Sequence, residues 1–223
     1  MRSKTPRDPS LPRPPRPYDD APRLPEPPPG AFVDARTLVA GAVLEVEIGP
    51  GRGGFIFERA AVDPSLGLIG LEVRRKWATI VDRRLAKAGL GGRARVFAED
   101  AKFALRTLGP DGVFTRAYLL FPDPWWKKRH EKRLVMGDVF LEEVARLVAP
   151  GGELFVETDV EERAEQYSTQ IGACAAFEPF GDAEGSPLLA ENPYGARSPR
   201  EHRAIADGLP VFRLRYRRRA TMG

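Results

Sequence analysis

The sequence predicts an α/β protein, a mostly parallel sheet of seven strands with helices on both faces. Three observations predict it. From about residue 38, short apolar runs of strand length alternate with longer amphipathic stretches, the pattern of strand–helix–strand crossovers that builds a parallel sheet. The first run ends in a glycine turn, Gly49-Pro50-Gly51-Arg52-Gly53-Gly54. Acids stand where the runs end, at Glu47, Glu72, Asp100, Asp123 and Asp159, and the carboxyl ends of the strands are where such sheets gather ligands.

Val43 to Ile48 reads as the first strand, and a helix follows the glycine turn over roughly 54–62. Leu68 to Val73 is the second strand, and Lys76 to Ala88 an amphipathic helix closed near Gly89. Arg95 to Ala98 forms the third strand and leads into a short helix from about Ala101. Val113 to Phe121 is an apolar fourth strand. Gly137 to Val148 is helical and stops at Pro150-Gly151-Gly152, Glu153 to Thr158 is the fifth strand, and a helix runs from about Val160 to Ile171. Two last strands fall near Ala176–Phe180 and Val211–Tyr216.

Residues 1–37 are set apart as a flexible arm rich in Pro and Arg, leaving 38–223 as one domain. Half of the 22 prolines lie before residue 30, interleaved with Arg2, Lys4, Arg7, Arg13, Arg16 and Arg23. Such a stretch lacks the apolar side chains to offset its ordering entropy. A passive tail and an auxiliary RNA-binding arm both fit that composition. A single cysteine, Cys174, excludes an internal disulfide framework and a cysteine-based zinc site, and with only His130 and His202 no His-rich metal centre is expected. No apolar run approaches the roughly 18 residues of a membrane span, so a soluble, cytoplasmic protein is expected. The formal charge of +4 is a weak pointer to a polyanionic partner.

Gly49, Gly51 and Gly54 match G-x-G-x-x-G, and Glu72 lies near the distance of a ribose-binding acid. That leaves NAD and S-adenosylmethionine open. Two acids tilt the choice toward the latter. Glu47 precedes the first glycine, where a carboxylate suits an ammonium better than a pyrophosphate, and Asp100 ends the third strand, placed to meet an adenine amino group. For each acid alone, helix capping or a salt bridge is the rival role.

The loop after the fourth strand reads Phe121-Pro122-Asp123-Pro124-Trp125-Trp126-Lys127-Lys128-Arg129-His130-Glu131-Lys132-Arg133. Prolines on either side of Asp123 fix φ and remove backbone donors, so the chain leaves the sheet stiff and extended. An acid, aromatics and then a run of bases suit a splayed-out base on an RNA backbone.

This loop closely resembles the F-P-D-P-W-x-K-K-R-H-x-K-R signature of bacterial tRNA (guanine-N7-)-methyltransferases. The resemblance runs from about residue 40 to the C-terminus and includes Glu45-Val46-Glu47-Ile48-Gly49-Pro50-Gly51, Gly70-Leu71-Glu72-Val73, Asp100-Ala101 and Glu157-Thr158-Asp159. It implies a Rossmann-like class I methyltransferase fold, S-adenosyl-L-methionine as donor, no metal, and tRNA as partner, with methylation of guanine N7 at position 46 of the variable loop. No membrane association is expected from the apolar pattern, and the assembly is expected to be a monomer or homodimer. The resemblance makes Asp123 catalytic. Glu47, Gly49, Gly51, Glu72, Asp100 and Asp123 would bind the cofactor. Lys127, Asp159 and the stretch Ser198-Pro199-Arg200-Glu201 would bind substrate. That stretch matches the family's T-x-[YF]-E element, with Arg200 in place of the aromatic; Leu134 stands where the family often has another arginine.

The tail carries Arg213, Arg215, Arg217, Arg218 and Arg219. Alternation along a strand puts Arg213, Arg215 and Arg217 on one side. An RNA-facing edge and a charged edge strand that resists aggregation are the two readings. A methyltransferase of small molecules or proteins would leave the basic Pro-Asp-Pro-Trp loop unexplained, and a non-enzymatic RNA-binding module would leave the acids unexplained.

Overall fold

The computed structural model describes residues 17–122 and 135–220. The seven expected strands form one continuous path: β1 (Val43–Ile48), β2 (Leu66–Leu71), β3 (Ala94–Phe97), β4 (Phe114–Leu120), β5 (Val148–Thr158), β6 (Phe177–Pro179) and β7 (Phe212–Arg218). Their spatial order is β3-β2-β1-β4-β5-β7-β6, with a two-residue strand Leu188–Leu189 added to β7. The strands from β3 to β5 are parallel neighbours, and β7 runs antiparallel to both β5 and β6. The chain first builds outward from β1 to β3, then returns to β4 on the other side of β1. The order reverses between β1 and β4, which opens a crevice at their carboxyl ends.

The helices are α1 (Gly54–Val62), α2 (Arg75–Lys87), α3 (Ala101–Thr107), α4 (Asp138–Leu147), α5 (Glu161–Gly172) and α6 (Pro199–Ala206). Alternation along the strands sorts side chains to two faces. Val46, Ile48, Ala117, Leu119, Leu154, Val156, Leu214 and Tyr216 pack with residues of α3, α4 and α5. On the other face, Leu66, Leu68, Ala94 and Val96 pack with Ile56, Ala60, Ala78, Val81 and Leu85 of α1 and α2. Beside them Tyr118 and Phe155 meet Phe55 and Tyr194, with ring centroids 4.7–6.3 Å apart.

The structure departs from the sequence reading in four places. First, β5 begins at Val148, so the Pro150-Gly151-Gly152 punctuation falls inside it; a register irregularity between Phe114 and Arg116 of β4 absorbs the bend. Second, residues 199–206 form a helix that hydrophobic periodicity left unmarked. Third, within the stretch expected as a flexible arm, residues 18–37 dock on the domain. Arg23 bonds the Ala98 carbonyl (2.6 Å) and Glu99 (3.0 Å), the Ala98 amide donates to the Pro22 carbonyl (2.7 Å), and Val33 and Ala35 are buried in the core. Val33–Asp34 also pairs with Leu108–Gly109 as a small second sheet. Fourth, β7 lies between β5 and β6, so its arginines do not guard an open edge.

Candidate active site

The glycine turn follows β1 directly. Gly49, Gly51 and Gly53 hold φ of +73°, +54° and +78°, a region that side-chain-bearing residues enter only with strain. Gly54 is needed for a different reason. A Cβ there would lie 2.4 Å from Cγ of Pro199, so the start of α6 rests directly on the start of α1. Two motifs about 145 residues apart in the chain are thereby brought together.

Beneath the turn, a cavity of about 510 Å³ opens at the carboxyl ends of β1, β2 and β4, lined by Gly49, Glu72, Asp100, Phe121, Val135 and Tyr167 among others. Three of the six expected cofactor residues line it. Glu72 is buried and accepts the Gly51 amide at 2.9 Å and the Arg74 amide at 2.8 Å, so it fixes the glycine turn while facing the cavity. Asp100 accepts the Lys102 amide at 3.0 Å and caps α3. The capping role and the cavity-facing role therefore coincide in one residue. Glu72 Oε1 also takes Arg74 Nε at 3.4 Å, which leaves Glu72 Oε2 and the Asp100 carboxylate with lone pairs for an outside donor.

Glu47 and Gly51 are not among the cavity-lining residues. Glu47 is buried, and its Oε2 has no hydrogen-bond partner among the described residues. Burial, reinforced by the charge of Glu72, pushes its carboxyl up to about 8. A buried carboxyl without a donor is costly unless a cation or N–H reaches it. Such an orphan oxygen, with Glu72 close enough to act on its charge, fits a ligand carrying an ammonium and a ribose. Gly51 contributes its backbone amide through Glu72. Asp123 and Lys127 lie outside the described residues.

Of the expected substrate residues, Asp159 and Ser198–Glu201 meet at α6, whose Pro199 rests on Gly54 of the glycine turn. Ser198 caps the helix by accepting the Glu201 amide at 3.1 Å, and Pro199 occupies the first helical position, which tolerates its missing N–H. Arg200 donates from Nε to Asp159 Oδ2 at 2.9 Å and also from Nη2. Glu201 is fully buried and takes two bonds from Arg213, at 3.0 and 2.8 Å, and one from Asn192 at 3.0 Å. Glu157 shares Asn192 (3.2 Å) and sits 3.5 Å from Arg213. Burial first, and then the charge of Glu201, raise the Glu157 carboxyl well above its ordinary range. One guanidinium thus serves two carboxyls. Arg213 is engaged inside the fold, while Arg215 bonds the Phe180 carbonyl at 2.6 Å and lies with Arg217 over the Phe180 ring. The alternation that puts these arginines on one side is present, and Arg213 is not part of an RNA-facing edge.

Sequence reasoning missed a second buried network. Glu45 accepts two bonds from Arg59 (both 2.8 Å), one from Arg116 (2.7 Å) and one from the Tyr118 hydroxyl (3.0 Å). Arg116 continues to Glu153, and Glu153 to the Tyr194 hydroxyl at 2.8 Å. The available signal was parity: Glu45 shares the face of Glu47 in a strand buried on both sides. The capping signature Ser198-Pro199-x-Glu201 likewise marked α6.

The strand order, the reversal between β1 and β4, and the cavity at that reversal define the Rossmann-like class I methyltransferase fold. A methyltransferase family model, described as "Putative methyltransferase", matches residues 41–214. Among solved structures, the 16S rRNA methyltransferase KamB superposes with a TM-score of 0.56 at 16% identity, covering 83% of this chain and 91% of its own. The [4+2]-cyclase SpnF gives 0.55 at 19% identity, covering 83% and 78%. At such identity the likeness shows the fold alone. Sequence relatives go further. The tRNA (guanine-N(7)-)-methyltransferase of Myxococcus xanthus is 36% identical over 173 residues, covering 77% of this chain and 82% of the relative. That of Paramagnetospirillum magneticum is 37% identical over 197 residues, covering 87% and 81%. The chain belongs to the tRNA (guanine-N(7)-)-methyltransferase family.

Among the described residues no helix is long and apolar enough to cross a membrane, and no group of three His, Cys, Asp or Glu side chains is arranged to hold a metal ion.

Proposed function

We infer that this protein transfers the methyl group of S-adenosyl-L-methionine to N7 of a guanine in tRNA, at position 46 of the variable loop. The observation that carries the reading is the convergence of the glycine turn, the Glu72–Asp100 cavity and the Asp159–α6 element at one end of the sheet. Of those parts, Glu72 and Asp100 are the acids for ribose and adenine, and Glu47 is the partner for the donor's ammonium. When bound, the donor supplies an electrophilic methyl on a sulfonium. Because SAM carries no phosphate, a carboxylate-rich pocket is electrostatically suited to it.

Neutral guanine already has a lone pair on N7, so no proton is removed before attack. The protein's work is alignment and exclusion of water. A Lys or Arg donor on N7, the common way to read guanine, would occupy the nucleophile. A carboxylate accepting from N1–H and N2–H₂ leaves N7 free and offsets the positive charge that the base acquires. We assign that role to Asp123, shared with Asp159, and a phosphate contact to Lys127. Ser198, Pro199 and Glu201 hold α6 in place, and Glu201 acts through Arg213 rather than by touching the base. The cytoplasm as location, and a monomer or homodimer as assembly, belong to the same reading.

Asp123→Asn tests it. Single-turnover transfer to unmodified tRNA should fall at least roughly tenfold, the lower reach of removing an interaction made in the transition state, while calorimetric SAM affinity stays within about twofold. Unchanged transfer would remove Asp123 from the chemistry.

A further inference from the structure

Arg200 and Asp159 come from different elements, one from the first turn of α6 and the other from the end of β5. The main chain that carries Arg200 is fixed on three sides, by the Ser198 cap, by Pro199 on Gly54 and by the buried Glu201–Arg213 pair. Its side chain extends beyond that frame into solvent. Arg200 is 56% exposed, whereas Asp159 is 14% exposed. The guanidinium therefore reaches in from solvent to close over a recessed carboxylate, with both Nε and Nη2 donating to Oδ2.

The donors matter more than the charge. A guanidinium edge offers N–H groups side by side on one amidine carbon. The N1–H and N2–H₂ edge of guanine is the same arrangement, a guanidine fragment closed into a ring. A carboxylate placed to accept one accepts the other. On the reading above, in which Asp159 takes part in holding the guanine edge, Arg200 occupies the position that the base must take.

We propose that Arg200 is an internal stand-in for the target guanine, seated on Asp159 until the base displaces it. It acts on occupancy of the acceptor site and not on methyl transfer. An exposed ion pair is weak, so the seated state competes without blocking. A site seated half to four-fifths of the time raises the apparent KM for tRNA about two- to fivefold.

The experiment is steady-state methylation of unmodified tRNA by the full chain and its R200A, R200K, D159N and D159N/R200A variants, with SAM binding measured for each. R200A should lower KM for tRNA about two- to fivefold with kcat within about twofold. R200K, which keeps charge but lacks the planar fork, should lower it as well. In the D159N background R200A should change KM by less than about 1.5-fold, because the carboxylate it competes for is gone. If D159N impairs methylation while R200A raises KM, Arg200 is a substrate contact and the stand-in is overturned. If R200A lowers KM equally in both backgrounds, the effect does not pass through Asp159 and the proposal also fails. Unimpaired methylation by D159N would overturn the assignment of Asp159 itself, a different result from either.

Discussion

Glu47 is held out of water on a buried strand, where a cation or an N–H donor would favour its charged form. Its carboxyl, raised to about 8 by burial and then by Glu72, is protonated in the folded chain at neutral pH and ionised in the unfolded one. The folded state binds the extra proton, so this group's contribution to stability is complete below about 4.5 and is lost as pH rises through about 8. Glu47→Gln removes that loss. At pH 8 the ligand-free variant should melt at least roughly 3 °C above the parent, the shift that about 1 kcal/mol gives in a chain of this size. At about pH 5 the two should nearly coincide. The same variant should bind SAM at least roughly tenfold more weakly, consistent with removal of a charge-assisted bond. A thermal melt at both pH values and one titration check the pair, and equal melting at the higher pH would contradict the proton assignment.

At the scale of elements, α1 is fastened to the sheet by charge as well as by packing. Arg59 on α1 bonds Glu45 on β1 and the Tyr194 carbonyl, and all three groups are away from solvent. Removing one member of a buried pair costs about 3–5 kcal/mol, because the other is left uncompensated. Here Arg116 and Tyr118 still reach Glu45, which favours the lower end. Arg59→Met should therefore destabilise the fold by about 3 kcal/mol in urea unfolding, and a change under about 1 kcal/mol would show that Arg116 alone suffices. This network also marks the limit of what sequence disclosed at this scale. The apolar strands and amphipathic helices gave their places through periodicity, and the glycine turn through its spacing. Glu45 gave only its face, and Arg116, Asn192, Tyr194 and Arg213 gave no partner, since a polar side chain does not name a partner far away in the chain. Glu72 and Asp100 were legible because they stand at strand ends, and the capping role weighed as their rival is, for Asp100, part of the same geometry. The docking of residues 22–24 on Ala98 and Glu99 is of the unreadable kind: a Pro-rich stretch predicts no docking, yet Arg23 and backbone donors supply it.

At the scale of the molecule, function needs a surface that meets RNA beside the cavity. Arg52 in the glycine turn lies 5.0 Å from the Trp77 ring, Lys76 lies 5.3 Å from it, and Arg84 sits 4.9 Å over Phe57. These three cations have no carboxylate partner among the described residues, whereas Arg75 and Arg83 on the same helix pair with Asp19 and Asp20. A patch of positive charge around an aromatic ring, continuous with the turn, suits a phosphate backbone. Changing Arg52, Lys76 and Arg84 together to Ala should weaken tRNA binding. It should also lower the slope of log affinity against log salt by up to about 0.9 for each phosphate no longer neutralised. SAM binding should be unaffected. A slope unchanged from the parent would place the RNA elsewhere.

The most direct test is methyl transfer from labelled SAM to unmodified tRNA, followed by nucleoside analysis of the product. Label is expected in N7-methylguanosine, and should vanish from it when the variable-loop guanine is replaced by adenine. Label in any other nucleoside, or N7-methylguanosine that persists after that replacement, would contradict transfer to that guanine.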